Sequence, residues 1–370
     1  MQALAIGPDG VSPAEGGPVA VPAGGFVWIG CTREEFRDRL PEVQATLRRL
    51  AGSPLLDLHV SDLLNAQLPS HHDETTRYDL LVLRRLMNRA PGDSAAGSAP
   101  ARRRAGPPVL QRIDTGPVGF ALFDRVLLSV HPAECPLREA MATRLLASHS
   151  GSGDGPEREG RHGRVPASAA DLMLRSASQI VDGFLDLRRE LTRQLDHWQD
   201  ELLQPRTRFT NWGALLDARM TLHQLDEVCE DQRLALLDWI ESLKTWPAAT
   251  GAEGTGEREL LMVRSRDVLE HIDRVVHHVR RLEHGVETAV QLHFSAQGKR
   301  TNDIMRTLTA LTAIFLPLNL IAAIFGMNFE FLPLIHQQSG FWWALGGMAA
   351  IAVGMGLVFW RKRYLARSGR

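Results

Sequence analysis

The sequence predicts an α+β integral membrane protein, with a cytoplasmic α/β domain, a long helical stalk and two C-terminal transmembrane helices. Three observations carry this reading. Residues 307–325 (TLTALTAIFLPLNLIAAIF) and 341–360 (FWWALGGMAAIAVGMGLVFW) are free of charge, and each is close to the roughly 20 residues that cross a bilayer as helix. From residue 168 onward the chain reads as helix, interrupted at Pro205 and at the glycine-rich 248–256. Residues 26–147 instead alternate short apolar strand-like runs with a helix-like stretch.

Taken in order, the first seventeen residues, MQALAIGPDGVSPAEGG, lack the basic start and apolar core of a secretory signal, so the α/β domain, residues 1–148, is expected to stay in the cytoplasm. Phe26-Val27-Trp28-Ile29 is a strand candidate, Thr32 opens a helix-like stretch to Leu50, and the run from Tyr78 to Leu86 is strand-like. The apolar runs 118–123 and 126–130 flank Asp124-Arg125 and predict a hairpin. Residues 88–108 (NRAPGDSAAGSAPARRRAGPP) are too rich in Pro, Gly, Ala and Arg to bury a core and predict a disordered insertion. A linker of similar character spans 149–166.

A helical hairpin is expected over 167–247 and a stalk helix over 256–306. No proline stands between the glycine-rich break and Pro317, so stalk and first membrane helix read as one rod on the order of 100 Å long. Leu261, Ser265, Val268, Ile272, Val275, Val279, Leu282, Val286 and Ala289 recur at alternating steps of four and three, with Ser265 the one polar member. That spacing marks a seam between helices and predicts a self-associating stalk. The first membrane helix is expected over 307–326, a loop over 327–340, the second helix over 341–360 and a basic tail over 361–370. Lys299, Arg300 and Arg306 precede the first span, and Arg361, Lys362 and Arg363 follow the second, whereas the loop has no Lys or Arg. Both termini therefore face the cytoplasm by the positive-inside rule, and Trp342, Trp343 and Trp360 fall where interfacial aromatics belong.

Composition narrows the function. With 42 Lys plus Arg against 43 Asp plus Glu, the chain has no bulk attraction for nucleic acid. Cys31, Cys135 and Cys229 are far apart and form no CxxC pair, which fits buried thiols in a reducing compartment. No phosphate loop, HExxH or nucleophile elbow is present, so no enzyme and no resident cofactor is expected. Asn302, Met305, Thr309, Thr312, Leu316, Asn319 and Ala323 share one helical face that is largely polar or small. An amide such as Asn319 is costly in hydrocarbon unless it meets a partner or water. Such a face either holds helices together or lines a polar path, and two spans per chain enclose a path only when several copies surround an axis.

The tripeptide Gly326-Met327-Asn328 stands at the outer end of the penultimate helix, before a short loop and a last, basic-tailed helix. There, through 299–333 (KRTNDIMRTLTALTAIFLPLNLIAAIFGMNFEFLP), and again over 58–86 and 120–131, the chain resembles the CorA family of divalent cation transporters, the GMN-motif superfamily. The resemblance implies a funnel-shaped homopentamer in the cell (inner) membrane, with five copies of the long helix lining one pore. Gly326, Met327 and Asn328 would form the selectivity filter, with Asn328 as an outer amide ring, Gly326 allowing a tight backbone turn and Met327 packing behind. Glu330 would concentrate cations outside. Asn302, Met305, Leu308, Thr312, Leu316, Asn319 and Ala323 would line the pore, Asn319 as a second polar ring and Met305 with Leu308 as an apolar constriction. Asp267 matches a regulatory acid on the stalk, with His271 one turn away, although Asn88-Arg89 stand where its partner acid is expected.

The cargo so implied is Mg²⁺, with Co²⁺ and Ni²⁺ as further candidates. Zn²⁺ is the alternative, since His336 and the stalk residues His271, His277, His278, His284 and His293 are borderline-soft ligands. Against it, Phe329-Glu330-Phe331 does not resemble the glycine-rich loop of the zinc-transporting branch. A membrane-anchored scaffold or sensor without transport is the competing class, and it predicts that Asn328→Ala leaves biological activity intact.

Overall fold

The computed structural model describes residues 1–8, 10–13, 20–87, 113–133, 135–150, 165–203, 212–246, 252–327 and 338–361. The expected insertion 88–108, most of the linker, the loop beyond Met327 and the tail beyond Arg361 lie outside them. The described chain forms two compact units, Met1–Glu201 with Thr207–Glu287, and Leu202–Arg206 with Thr288–Arg370.

The first unit is built on β1 (Gln2–Gly7), β2 (Gly10–Pro13), β3 (Phe26–Thr32), β4 (His71–Glu74), β5 (Asp79–Leu86), β6 (Thr115–Leu122) and β7 (Val126–His131). Their order in one sheet is β2-β1-β3-β7-β6-β5-β4, and all neighbours are antiparallel except β3 and β7. The predicted hairpin is β6–β7, closed by Phe123 N–H donating to Val126 O at 2.9 Å. The β1 and β2 strands were not read from the sequence, although Leu4 and Ile6 alternate as a half-buried strand requires.

Between β3 and β4 lie α1 (Arg33–Asp38), α2 (Leu40–Ala51) and α3 (Asp57–Leu64). The single stretch expected from Thr32 to Leu50 is therefore two helices. Thr32 caps α1, accepting from Glu35 N–H while the Glu35 carboxylate accepts from Thr32 N–H. Pro41 sits in the first turn of α2, where its missing N–H costs nothing but the preceding helix cannot continue. These helices cover one face of the sheet, burying Phe36, Val43, Leu47 and Leu63 on Val27, Ile29, Leu80, Val82 and Leu128. Gly119 of β6 permits this, since a Cβ there would collide with Leu63.

Four longer helices follow: α4 (Pro136–Ser150), α5 (Ala169–Leu203), α6 (Trp212–Thr245) and the 74-residue α7 (Ala252–Phe325). On the other face of the sheet, α6 meets β4 and β5, where Ser242 Oγ donates to Asp79 Oδ1 at 3.2 Å. Pairs between α6 and α7 run in opposite directions along the chain: Trp239 Nε1 donates to Ser265 Oγ at 3.0 Å, Arg233 Nε meets Asp273 at 2.9 Å, and Arg280 Nε meets Asp226 at 3.0 Å. Pairs between α5 and α7 run in the same direction, from Asp171 with Arg264, through Asp182 with His271, to Thr192 with His278. The first part of α7 is thus the third member of an antiparallel three-helix bundle.

This corrects the reading of the stalk seam. Leu261, Ser265, Val268, Ile272, Val275, Val279, Leu282 and Val286 are all buried within a single chain, each apolar member contributing about 1.5–3 kcal/mol. The seam packs against the chain's own α5 and α6. Ser265 is polar because it receives the indole N–H of Trp239, which is itself fully buried.

Candidate pore-lining site

In the second unit α7 continues to Phe325, and α8 spans Gln338–Arg361. Both are long and apolar enough to cross a membrane. Their apolar side chains are open rather than packed, with Leu316 68% and Trp343 73% exposed. Apolar surface on this scale requires lipid or other protein as its solvent.

Asn302, Met305, Leu308, Thr309, Thr312, Leu316, Asn319 and Ala323 are all exposed on α7. Exposure does not separate this face from the others, because Ile304, Leu311, Phe315 and Leu320 are exposed as well. The difference is chemical. Thr309 Oγ donates to Met305 O at 2.7 Å and Thr312 Oγ to Leu308 O at 2.9 Å. With their protons committed to the helix, both hydroxyls offer lone pairs outward, and acceptors are what the outward-pointing hydrogens of a hydrated cation need. Met305 and Leu308 precede these threonines in sequence and present bare apolar side chains. Pro317 lies inside the helix and has no N–H for the Ala313 carbonyl.

At the end of α7, Gly326 N–H donates to Ala322 O at 2.9 Å and Met327 N–H to Ile324 O at 3.3 Å, a tightened last turn. Gly326 is not among the glycines with positive φ, and a Cβ there would make a tight contact, 3.2 Å from Ala322 O. Among the described residues the last turn carries no basic residue, and the negative end of the helix dipole beside Met327 is a favourable place for a cation. Asn328, Glu330 and His336 lie outside the described residues.

The remaining candidates do not converge. Asp267 is exposed on α7, whereas His271 is half-buried, its Nδ1 being 3.5 Å from Asp182 Oδ1 and without a hydrogen bond. His277 and His284 are exposed, and His293 is buried with its Nε2 2.9 Å from Gln297 Nε2. His278 stands 2.9 Å from Thr192 Oγ, and burial, reinforced by Arg188 and Arg281, pulls its pKa down. Asn88 and Arg89 lie outside the described residues. The three thiols are buried and free, and burial pushes Cys31 and Cys229 up to about 12.

Residues 41–363 match the family model of the CorA-like Mg²⁺ transporter protein. The chain belongs to this family. Among curated relatives it is 27% identical over 210 residues to the cobalt/magnesium transport protein CorA of Thermotoga maritima, covering 55% of each chain. The match thus spans about half the length of that relative. Among solved structures, the complete CorA magnesium transporter from Methanocaldococcus jannaschii superposes with a TM-score of 0.69 at 18% identity, covering 100% of this chain and 98% of the other. The ZntB cytoplasmic domain from Vibrio parahaemolyticus superposes with a TM-score of 0.53 at 15% identity, over 82% of this chain and 98% of that domain. The fold is that of CorA: a soluble α/β domain, a long helix and two C-terminal apolar helices. The protein is a membrane protein, and at these identities the solved structures speak for its fold alone.

Proposed function

We propose that the chain is one subunit of a homopentameric channel that passes divalent cations, Mg²⁺ first, with Co²⁺ and Ni²⁺ as further cargo. The observation that carries this reading is the exposed face of α7 between Asn302 and Ala323. From Asn302 this face runs into the apolar span, where it presents the Asn319 amide and the Thr309 and Thr312 hydroxyls as outward acceptors, and α7 ends at Phe325, three residues before Asn328.

Mg²⁺ dehydrates reluctantly, so a path of neutral oxygens that bind its water shell captures the ion without trapping it. In a symmetric assembly Asn328 would supply the outermost ring, and Glu330 would raise the local cation concentration. Asn319 and the threonines would carry the hydrated ion inward, and Met305 with Leu308 would close the path by dewetting. With both termini in the cytoplasm of an inner membrane, an inside-negative potential drives entry at about 2.3 kcal/mol per elementary charge per 100 mV. The similarity to the ZntB domain is one of fold and gives Zn²⁺ no preference over Mg²⁺ here.

The test is flux. Purified protein in liposomes with an imposed inside-negative potential should take up Mg²⁺, and separate assays with Zn²⁺, Co²⁺ and Ni²⁺ rank the cargo. Uptake of Zn²⁺ without Mg²⁺ would move the assignment to a zinc transporter, and uptake of none by a correctly assembled oligomer, at both low and high internal metal, would favour an anchored scaffold.

A further inference from the structure

One ligand cluster lies in the α/β domain and uses no residue assigned to the pore. In β4 the register sets His71 opposite Val82 and Asp73 opposite Leu80 of β5. Both therefore project to the face covered by α3, while His72 turns to the other face and meets Asp79 at 3.2 Å. From α3, Asp62 joins them, and one ligand atom from each of Asp62, His71 and Asp73 lies within 4.8 Å of the other two. Among the described residues no other group of three or more His, Cys, Asp or Glu side chains meets this spacing.

A second imidazole, His59, stands beside Asp73 without itself meeting that spacing. His59 Nε2 is 3.6 Å and His71 Nε2 3.9 Å from the same oxygen, Asp73 Oδ2. These separations are too long for good hydrogen bonds, and they approach the about 3.4 Å between two ligands bound at roughly 2.0–2.1 Å to one tetrahedral ion. Each imidazole is also held from behind. His71 Nδ1 is 3.2 Å from Pro69 O, so Nδ1–H donates and Nε2 keeps its lone pair. His59 Nδ1 is 2.7 Å from the Tyr78 hydroxyl, whose oxygen accepts Leu56 N–H at 3.0 Å. That oxygen can accept a second proton from Nδ1–H, which again frees Nε2. Rear hydrogen bonds of this kind orient the imidazoles of metal centres. His59 is buried and Asp73 is half-exposed, so the cluster has a fixed wall and an open mouth.

We propose that Asp62, His71 and Asp73, with His59 beside Asp73, form a divalent metal site on this edge of the sheet. Two carboxylates balance the charge of the ion, and the His71 imidazole favours Zn²⁺, Co²⁺ or Ni²⁺ over Mg²⁺, which prefers oxygen and its own waters. The site reads borderline metals in the soluble domain whether or not the C-terminal helices conduct.

Full-length protein in detergent is titrated with Co²⁺ in a large excess of Mg²⁺, reading the visible ligand-field bands. Strong bands of low coordination number should saturate with the wild type and with Asp267→Asn, and should be lost in His71→Gln and Asp62→Asn variants that retain wild-type circular dichroism and oligomer size. Unchanged bands and stoichiometry in folded His71→Gln would overturn the proposal. Anomalous scattering from wild-type crystals soaked in Zn²⁺ decides the matter without any substitution: a peak between Asp62, His71 and Asp73 is expected, and peaks only elsewhere would contradict it.

Discussion

Residues 261–286 and 302–323 lie on the same helix and share the same three-and-four spacing, yet the first set is buried and the second is open. The first has partners inside the chain, since α5 and α6 run alongside it and fix its register through Asp171, Thr192, Asp226 and Trp239. The second keeps Met305 and Leu308 58% and 59% exposed. A periodic seam therefore predicts that a helix has a partner without saying whose helix that is. Where the chain supplies the partner the seam is core; where it does not, lipid and further copies must.

Substitutions sharpen this contrast, beginning with the largest expected loss. Trp239→Ala removes a fully buried indole from between α6 and α7 and should cost about 3–5 kcal/mol, seen as a large drop in melting temperature by circular dichroism. A melting temperature within a degree or two of wild type would mean that the seam is not core after all.

Acid should also act on the soluble domain. Burial, aided by Arg138 and Arg85, pulls His131 down to about 3, beneath Phe120 and 2.9 Å from Ser129 Oγ. The unfolded chain takes up this proton near pH 6.5 and the folded chain only near 3, so the full contribution is present above about pH 6.5 and is lost as pH falls toward 3, by up to a few kcal/mol. Melts between pH 7 and 4 should show a shallower decline for His131→Gln than for wild type, and parallel curves would remove His131 from the account.

Ser265→Ala strands the buried Trp239 N–H and should cost about 1–2 kcal/mol, whereas a seam that merely tolerates a hydroxyl would gain stability from alanine. Leu308→Ser makes the opposite case on the open half. At an exposed position it should change the melting temperature of the soluble unit very little, yet raise resting Mg²⁺ flux in liposomes by wetting the constriction. A cold melt with unchanged flux would place Leu308 in structural packing.

Much of this was legible in the chain. The strands β3, β6 and β7 and the first five residues of β5 are almost wholly buried and so announce themselves as apolar runs. The two charge-free spans are equally plain. The β4 strand was not visible, because His71-His72-Asp73-Glu74 is polar at every position and is a strand only by pairing with β5. For the same reason its cluster of candidate ligands was not legible: Asp62 and Asp73 are eleven residues apart in sequence, and only the sheet edge brings them together. The helix break at Arg39 had a signal in Pro41, and Ser265, the odd member of the seam, was a sign of a polar partner that the sequence alone could not name. On the candidate pore, the sequence carries the stripe and the tripeptide, whereas the threonine bonding and the crowding that Gly326 relieves emerge only from coordinates.

The central claim is that the open half of α7 and the tripeptide after it carry cations across the membrane, and Asn328→Ala tests it most directly. Wild-type and Asn328→Ala proteins are reconstituted at equal density in liposomes, and Mg²⁺ uptake is followed under an inside-negative potential. The account predicts potential-driven uptake by the wild type and its near-complete loss in the variant with assembly unchanged; equal uptake by both proteins would contradict it.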